Sequence, residues 1–187
     1  LRRGSSVTIE NVSLNPARIG FVRTLERMGA EISVRHEGQE GKEPNGSIHV
    51  EYTSVLRGCE VPPQHIASIV DEIPVLSLVA AHARGVTVFR EVGELRVKET
   101  DRLAAVIDGL AQIGVDAWEE GDDLLIEGDP NLEIPDGVVF DSRGDHRLAM
   151  TWGLLGLCGK KPVGVRDFAC VSVSYPGFLS DMQRLGA

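Results

Sequence analysis

Apolar residues recur at i, i+4 and i+7 three times along the chain, and a glycine closes each stripe. The sets are Phe21, Leu25 and Met28 before Gly29, Val106, Leu110 and Ile113 before Gly114, and Phe178, Met182 and Leu185 before Gly186. This period gathers the three side chains on one face of a helix, and the glycine is the left-handed residue that ends it. After the first helix the pattern switches to alternation over Glu31-Ile-Ser-Val-Arg35 and Ser47-Ile-His-Val-Glu-Tyr52. After the second it does so over Val115-Asp-Ala-Trp118 and Leu124-Leu-Ile-Glu127, across the turn Glu120-Gly-Asp-Asp123. Both pairs read as hairpins. Ahead of the second and third stripes lie two helices with little polar face, one through Val75, Leu76, Leu78, Val79 and Ala80, the other from Leu148 to Leu157. Such helices belong in a core. Each is followed by a short strand, Val86-Thr-Val-Phe-Arg90 or Val163-Gly-Val-Arg-Asp167.

The pattern therefore predicts an α/β chain of three repeated units of β-α-β-α-β-β type, the last stopping at its second helix. The stripes begin 85 and then 72 residues apart. That is too long for a solenoid repeat and points to whole packed units. The polar, glycine-rich segment 37–46 reads as an exposed, mobile hairpin tip. Cys59-Glu-Val-Pro-Pro63 reads as a stiff entry into a helix, and Asn15-Pro16-Ala17-Arg18 as the opening of the first helix, with Arg18 structural.

Charge narrows the function classes. With 28 acidic residues against 19 lysines and arginines, the net charge is -9, which argues against a nucleic-acid surface. An anionic ligand would have to be gripped by local cations. The 187 residues suffice for one domain with a real core. No apolar run is long enough for a bilayer and the start lacks a secretion-signal layout, so a cytoplasmic protein is expected. Cys59, Cys158 and Cys170 are odd in number and lack Cys-x-x-Cys spacing, which favours packed thiols over disulfides or zinc.

Candidate chemistry lies where polar clusters open apolar helices. Glu94-Leu-Arg-Val-Lys-Glu-Thr-Asp-Arg-Leu103 brings Lys98, Glu99 and Arg102 to the start of the Val106 helix, with Thr100 as N-cap. Unpaired backbone N–H groups and the helix dipole there favour an anion, leaving Glu99 free for acid–base work. Asp141-Ser-Arg-Gly-Asp-His-Arg-Leu148 repeats the design, placing Asp145, His146 and Arg147 in a first turn. Asp71, in Ile69-Val-Asp-Glu-Ile-Pro-Val75, is an acid in an apolar segment, costly unless paired or used.

The strings Asp71-Glu-Ile-Pro74, Glu94–Leu103, Gly144-Asp-His-Arg-Leu-Ala-Met150 and Ser174-Tyr-Pro-Gly-Phe178 resemble, in order and spacing, those of the EPSP synthase family. Val7–Pro16 and Met28-Gly-Ala30 also look like the segment opening that family's C-terminal portion. The resemblance implies a chain more than twice this long, so this one is expected to be the C-terminal enolpyruvyl transferase domain over residues 1–187, without its N-terminal portion and inactive alone. It implies helices inside, sheets outside, and a last unit completed by N-terminal sequence. It implies transfer of the carboxyvinyl group of phosphoenolpyruvate to the 5-hydroxyl of shikimate 3-phosphate, in aromatic amino-acid biosynthesis, without metal or organic cofactor.

By the same resemblance, Asp71, Glu99 and Lys98 are catalytic. Asp71 and Lys98 also meet shikimate 3-phosphate, Arg102 and Arg147 bind phosphoenolpyruvate, and Asp145 and His146 hold Arg147 and the local charge in place. Val173 stands where many members carry a lysine. The alternatives are a UDP-N-acetylglucosamine enolpyruvyl transferase domain, which the Lys98-Glu99 and Asp145-His146-Arg147 strings disfavour, and a non-catalytic anion-binding module.

Overall fold

The first unit is a three-stranded antiparallel sheet with one helix. In the computed structural model, which describes residues 3–41, 43–158 and 161–185, β1 (Ser6–Ser13) is followed by α1 (Gly20–Arg27), β2 (Glu31–Glu40) and β3 (Glu43–Glu51). The strand order is β1-β3-β2. The expected tip over 37–46 is not a loop. Pairing continues through Gly38 with Asn45, Gln39 with Pro44 and Glu40 with Glu43, leaving only the turn at Gly41. The reason is that a ladder is held by backbone groups, which pair whether or not the side chains alternate in polarity. Apolar alternation stops at Val34, but hydrogen bonding does not, and Ser47 Oγ donating to Glu37 ties the extension across.

The second unit runs β4 (Glu60–Val61), α2 (Pro63–Ile66), α3 (Ile73–Ala81), β5 (Gly85–Phe89), a 3₁₀ turn over Gly93–Val97, α4 (Arg102–Gln112), β6 (Ala117–Glu120) and β7 (Asp123–Gly128). Its sheet has the order β4-β5-β7-β6, parallel at β4/β5 and antiparallel elsewhere. Pro63 occupies the first turn of α2, where no intrahelical N–H is needed. The third unit runs β8 (Val139–Asp141), α5 (His146–Cys158), β9 (Gly164–Arg166), a 3₁₀ turn over Phe168–Val173 and α6 (Phe178–Arg184), with β8 and β9 parallel. The two later units thus have the predicted β-α-β-α order, and the first begins at its own strand and amphipathic helix.

The predicted helix stops are present at Gly29 and Gly114, with φ of 86° and 78°. Ala30 N–H bonds back to Leu25 O at 2.9 Å and Val115 N–H to Leu110 O at 3.1 Å, the six-to-one closure of a Schellman end. Gly186 lies outside the described residues.

Helices α3, α4 and α5 pack against one another beneath the sheets. Ile73, Leu76, Leu103, Val106, Leu148 and Trp152 join in one buried cluster. Trp152 stacks on Phe140 with ring centroids 4.5 Å apart. Gly109 makes room for it, since a Cβ there would fall 2.2 Å from the indole ring. Close approach of α4 to α5 thus depends on the missing side chain, and it fixes how the two helix starts line up.

Among the described residues, one buried hydroxyl has no partner. Thr87 sits in β5 with no exposure, and its Oγ1 has no hydrogen-bond partner among the described residues. Thr87→Val keeps the β-branched shape and removes an unpaired polar atom, so it should stabilise the domain by about 1 kcal/mol. The urea midpoint should rise with an unchanged denaturant slope. A lower midpoint would mean that the hydroxyl is bonded after all.

Candidate active site at the starts of three helices

Helix α4 starts one residue later than Thr100 would have it. Asp101 is the N-cap, its carboxylate accepting the Ala104 N–H at 3.0 Å. Aspartate caps as well as threonine does and also suits the positive helix end. Arg102 therefore becomes the first helical residue. Its side chain points inward, with no exposure.

A buried guanidinium must have its N–H groups paired, and carboxylates from three segments meet this one. Arg102 Nε donates to Asp145 Oδ2 at 2.8 Å, Nη1 to Asp71 Oδ1 at 3.1 Å, and Nη2 to Glu99. Burial alone would lower the Arg102 pKa, but the bonds and charges of Asp145, Glu99 and Asp71 outweigh it and the net shift is upward. The cation is permanent. Asp145 does two jobs, since its Oδ1 also accepts the Arg147 N–H at 2.8 Å and caps α5.

Asp71, just before α3, joins this centre to a second arginine. Its Oδ2 accepts from Arg147 Nη2 at 3.1 Å, while Arg147 Nη1 lies 3.4 Å from the Asp71 carbonyl and 3.9 Å from Glu72 Oε1. Asp71, Glu99, Arg102, Asp145 and Arg147, spread over 77 positions of sequence, thus form one connected set at the starts of α3, α4 and α5. Glu99 is the most exposed, with 52% of its side chain accessible, and Asp71 and Arg147 stand at 27% and 28%. Those three line an accessible rim over a buried base of Arg102 and Asp145.

The structure gives several of the expected site residues partners that the sequence did not show. Arg102 presents no accessible side-chain surface, and each of its three nitrogens donates to a carboxylate. Lys98 is paired with Glu94 one helical turn back and bonds to no member of the carboxylate–arginine set. Its chain position beside Glu99 did not decide its side-chain partner, because Lys98 is extended and the 3₁₀ turn brings Glu94 within reach. Asp145 holds the Arg102 side chain and only the backbone N–H of Arg147. The His146 side chain has no hydrogen-bond partner among the described residues. Val173, at the lysine-equivalent position, is 88% exposed and supplies no cation. The neighbouring Tyr175 hydroxyl donates to Asp181 at 2.6 Å, tying this segment to the first turn of α6.

Glu72 was missed by sequence reasoning. It is a half-buried acid whose carboxyl is pushed up mainly by desolvation, against the lowering effect of Arg147. The signal that could have found it is the one used for Asp71, an acid within an apolar segment, and it applies equally to the next residue.

The arrangement has the parts for anion binding next to proton transfer. Arg147 Nε has no partner among the described residues, so one edge of its guanidinium is free for a carboxylate or phosphate. The starts of α4 and α5 add their dipoles. Glu99 and Asp71 are accessible carboxylates on either side of the buried Arg102.

Known proteins carry the same framework. Residues 1–182 match the family model described as EPSP synthase (3-phosphoshikimate 1-carboxyvinyltransferase). The chain belongs to the EPSP synthase family. Among curated relatives, the 3-phosphoshikimate 1-carboxyvinyltransferase of Methylobacterium sp. (strain 4-46) is 46% identical over 98% of this chain, and that of Gluconobacter oxydans (strain 621H) is 45% identical over 98%. The chain spans 40% and 41% of the length of those two relatives. A crystal structure of EPSP synthase from Acinetobacter baumannii superposes with a TM-score of 0.91 at 35% identity, over 97% of this chain and 42% of that one. The enolpyruvyl transferase NikO from Streptomyces tendae superposes over 98% of this chain and 39% of that one, with a TM-score of 0.76 at 20% identity, a likeness of fold alone. The α/β units with helices inside and sheets outside are therefore those of the EPSP synthase family. No helix among the described residues is long and apolar enough to cross a membrane.

Proposed function

We propose that this chain is the C-terminal domain of a 3-phosphoshikimate 1-carboxyvinyltransferase and supplies part of its active site. The single observation that supports this reading most is the joining of Asp71, Glu99 and Arg147 around the buried Arg102 at three helix starts. The family's reaction needs an acid, a base and an anion grip side by side, and these residues are of those types. In the proposed reaction Asp71 takes the proton of the 5-hydroxyl of shikimate 3-phosphate as that oxygen attacks C2 of phosphoenolpyruvate. Glu99 gives a proton to the methylene carbon, which becomes a methyl group. The resulting tetrahedral species collapses when Glu99 takes a methyl proton back, the vinyl double bond re-forms, and the C–O bond to phosphate breaks, the departing phosphate carrying off the proton that Asp71 took, by way of solvent, as inorganic phosphate.

Arg147 binds phosphoenolpyruvate through its open edge. Arg102 fixes Asp71, Glu99 and Asp145 relative to one another, and it meets an anion only where Glu99 yields the outer nitrogen. Lys98 reaches shikimate 3-phosphate once released from Glu94. The remaining substrate contacts come from the part of the protein beyond this chain, and the enzyme works in the cytoplasm.

The test is phosphate release from phosphoenolpyruvate and shikimate 3-phosphate, measured for this chain alone, for the full-length protein and for a mixture of the two portions. Turnover is expected from the full-length protein and, on mixing, from the two portions together, but not from this chain alone. A host-enzyme-free preparation of the single chain that turns over, or a full-length protein that does not, would overturn the proposal.

A further inference from the structure

Asp71 must share its carboxylate between two arginines and a hydroxyl if it acts on one. One of its carboxylate oxygens accepts from Arg102 and the other from Arg147. Both contacts are 3.1 Å, but Arg102 is buried and Arg147 is accessible, so a substrate hydroxyl reaches Asp71 from the Arg147 side and competes with that arginine for the carboxylate. Arg147 would then keep only its 3.4 Å contact to the Asp71 carbonyl and whatever else faces Nη1. Among the described residues the other carboxylate within ion-pair distance of Arg147 is Glu72, at 3.9 Å.

We infer that Glu72 is the positioning residue for Arg147: it holds the Nη1 corner of the guanidinium so that the free edge stays aimed at the anion when Asp71 turns to the substrate hydroxyl. The inference rests on the function proposed above and deepens it by separating two jobs that adjacent acids perform. Glu72 touches neither substrate. It acts through Arg147, in a setting where Asp71 repels it and Arg18 attracts it.

The electrostatics fit a residue kept for orientation rather than for stability. Desolvation raises the Glu72 carboxyl above its ordinary value despite Arg147 and Arg18. A carboxyl raised in the folded state contributes stability below its unfolded pKa and loses it as pH rises through the folded value. At neutral pH the ionised Glu72 therefore costs the fold something.

The experiment uses the full-length protein and the variants Glu72→Gln, Glu72→Ala and Glu72→Asp. Steady-state kinetics, direct calorimetric binding of phosphoenolpyruvate and thermal melts are compared with wild type. Glu72→Gln is expected to raise the KM for phosphoenolpyruvate by about 10-fold, the size of one modest charge-assisted contact, and to change kcat and the KM for shikimate 3-phosphate far less. Glu72→Ala should do the same or worse, and Glu72→Asp should recover part of the loss. The melting temperature of Glu72→Gln at neutral pH should equal or exceed that of wild type. A wild-type KM for phosphoenolpyruvate in Glu72→Gln during turnover with shikimate 3-phosphate, or a loss confined to stability, would overturn the inference. A wild-type protein that binds phosphoenolpyruvate but does not turn over would instead sink the proposed reaction, and the binding data would still decide the role of Glu72. A wild type that binds no phosphoenolpyruvate would overturn both.

Discussion

Glu99→Gln in the full-length enzyme is expected to lower kcat by about 100-fold or more, the usual contribution of a positioned acid–base group. The amide keeps the size of the side chain and can still accept one hydrogen bond from Arg102, so the network around it should survive. What it loses is the ability to give a proton to a methylene carbon and take one back. The KM for phosphoenolpyruvate and the melting temperature should therefore move little, which separates chemistry from packing. More than half of the Glu99 side chain is accessible, so the substitution changes no buried charge. A variant with wild-type turnover would remove Glu99 as the proton shuttle and leave Asp71 as the sole accessible carboxylate of the set bonded to Arg102.

The second large effect falls on stability. Arg102→Leu should destabilise the domain by about 3 to 5 kcal/mol, the cost of leaving the buried Asp145 carboxylate without its cation. Asp145 has no side-chain exposure, and its Oδ2 loses the Arg102 bond. Asp71 loses one of its two arginines. Arg102→Lys should recover only part of the loss, because an ammonium is a point charge and cannot span three carboxylates as a planar fork does. Chemical denaturation of the three proteins measures this directly. A wild-type midpoint for Arg102→Leu would mean that the buried network contributes nothing net, as can happen when desolvation cancels attraction. Deletion of one partner without replacement of the others makes that outcome unexpected here.

The same arginine shows where reading the sequence stopped short. Its place in the first turn of an apolar helix was evident, and so was its membership of a polar cluster. Whether the side chain reaches outward to a ligand or inward to carboxylates depends on what the neighbouring helices bring to that end, and those residues lie 31 positions before it and 43 after. Lys98 shows the converse. It was grouped with Glu99 by adjacency, yet a 3₁₀ turn gave it to Glu94.

Periodicity and end signals are local, and they determined the elements. The i, i+4, i+7 stripes, the closing Gly29 and Gly114, the uniformly apolar α3 and α5, and the strands between them were all readable, because side-chain spacing and backbone preference act within a few residues. The long ends of β2 and β3 were not. Their polar residues carry no alternation, and only pairing with a partner strand reveals them as extended. The family string around Lys98, Glu99 and Arg102 also stood in the sequence, and with it the reading of the chemistry. The tertiary structure alone decided that α3, α4 and α5 begin at one end, that Arg102 is buried beneath Asp71 and Glu99, and that Glu72 faces Arg147. These follow from how closely the helices pack, for which Gly109 under Trp152 is the visible condition, and a distance between residues remote in sequence is set by packing rather than by any local pattern.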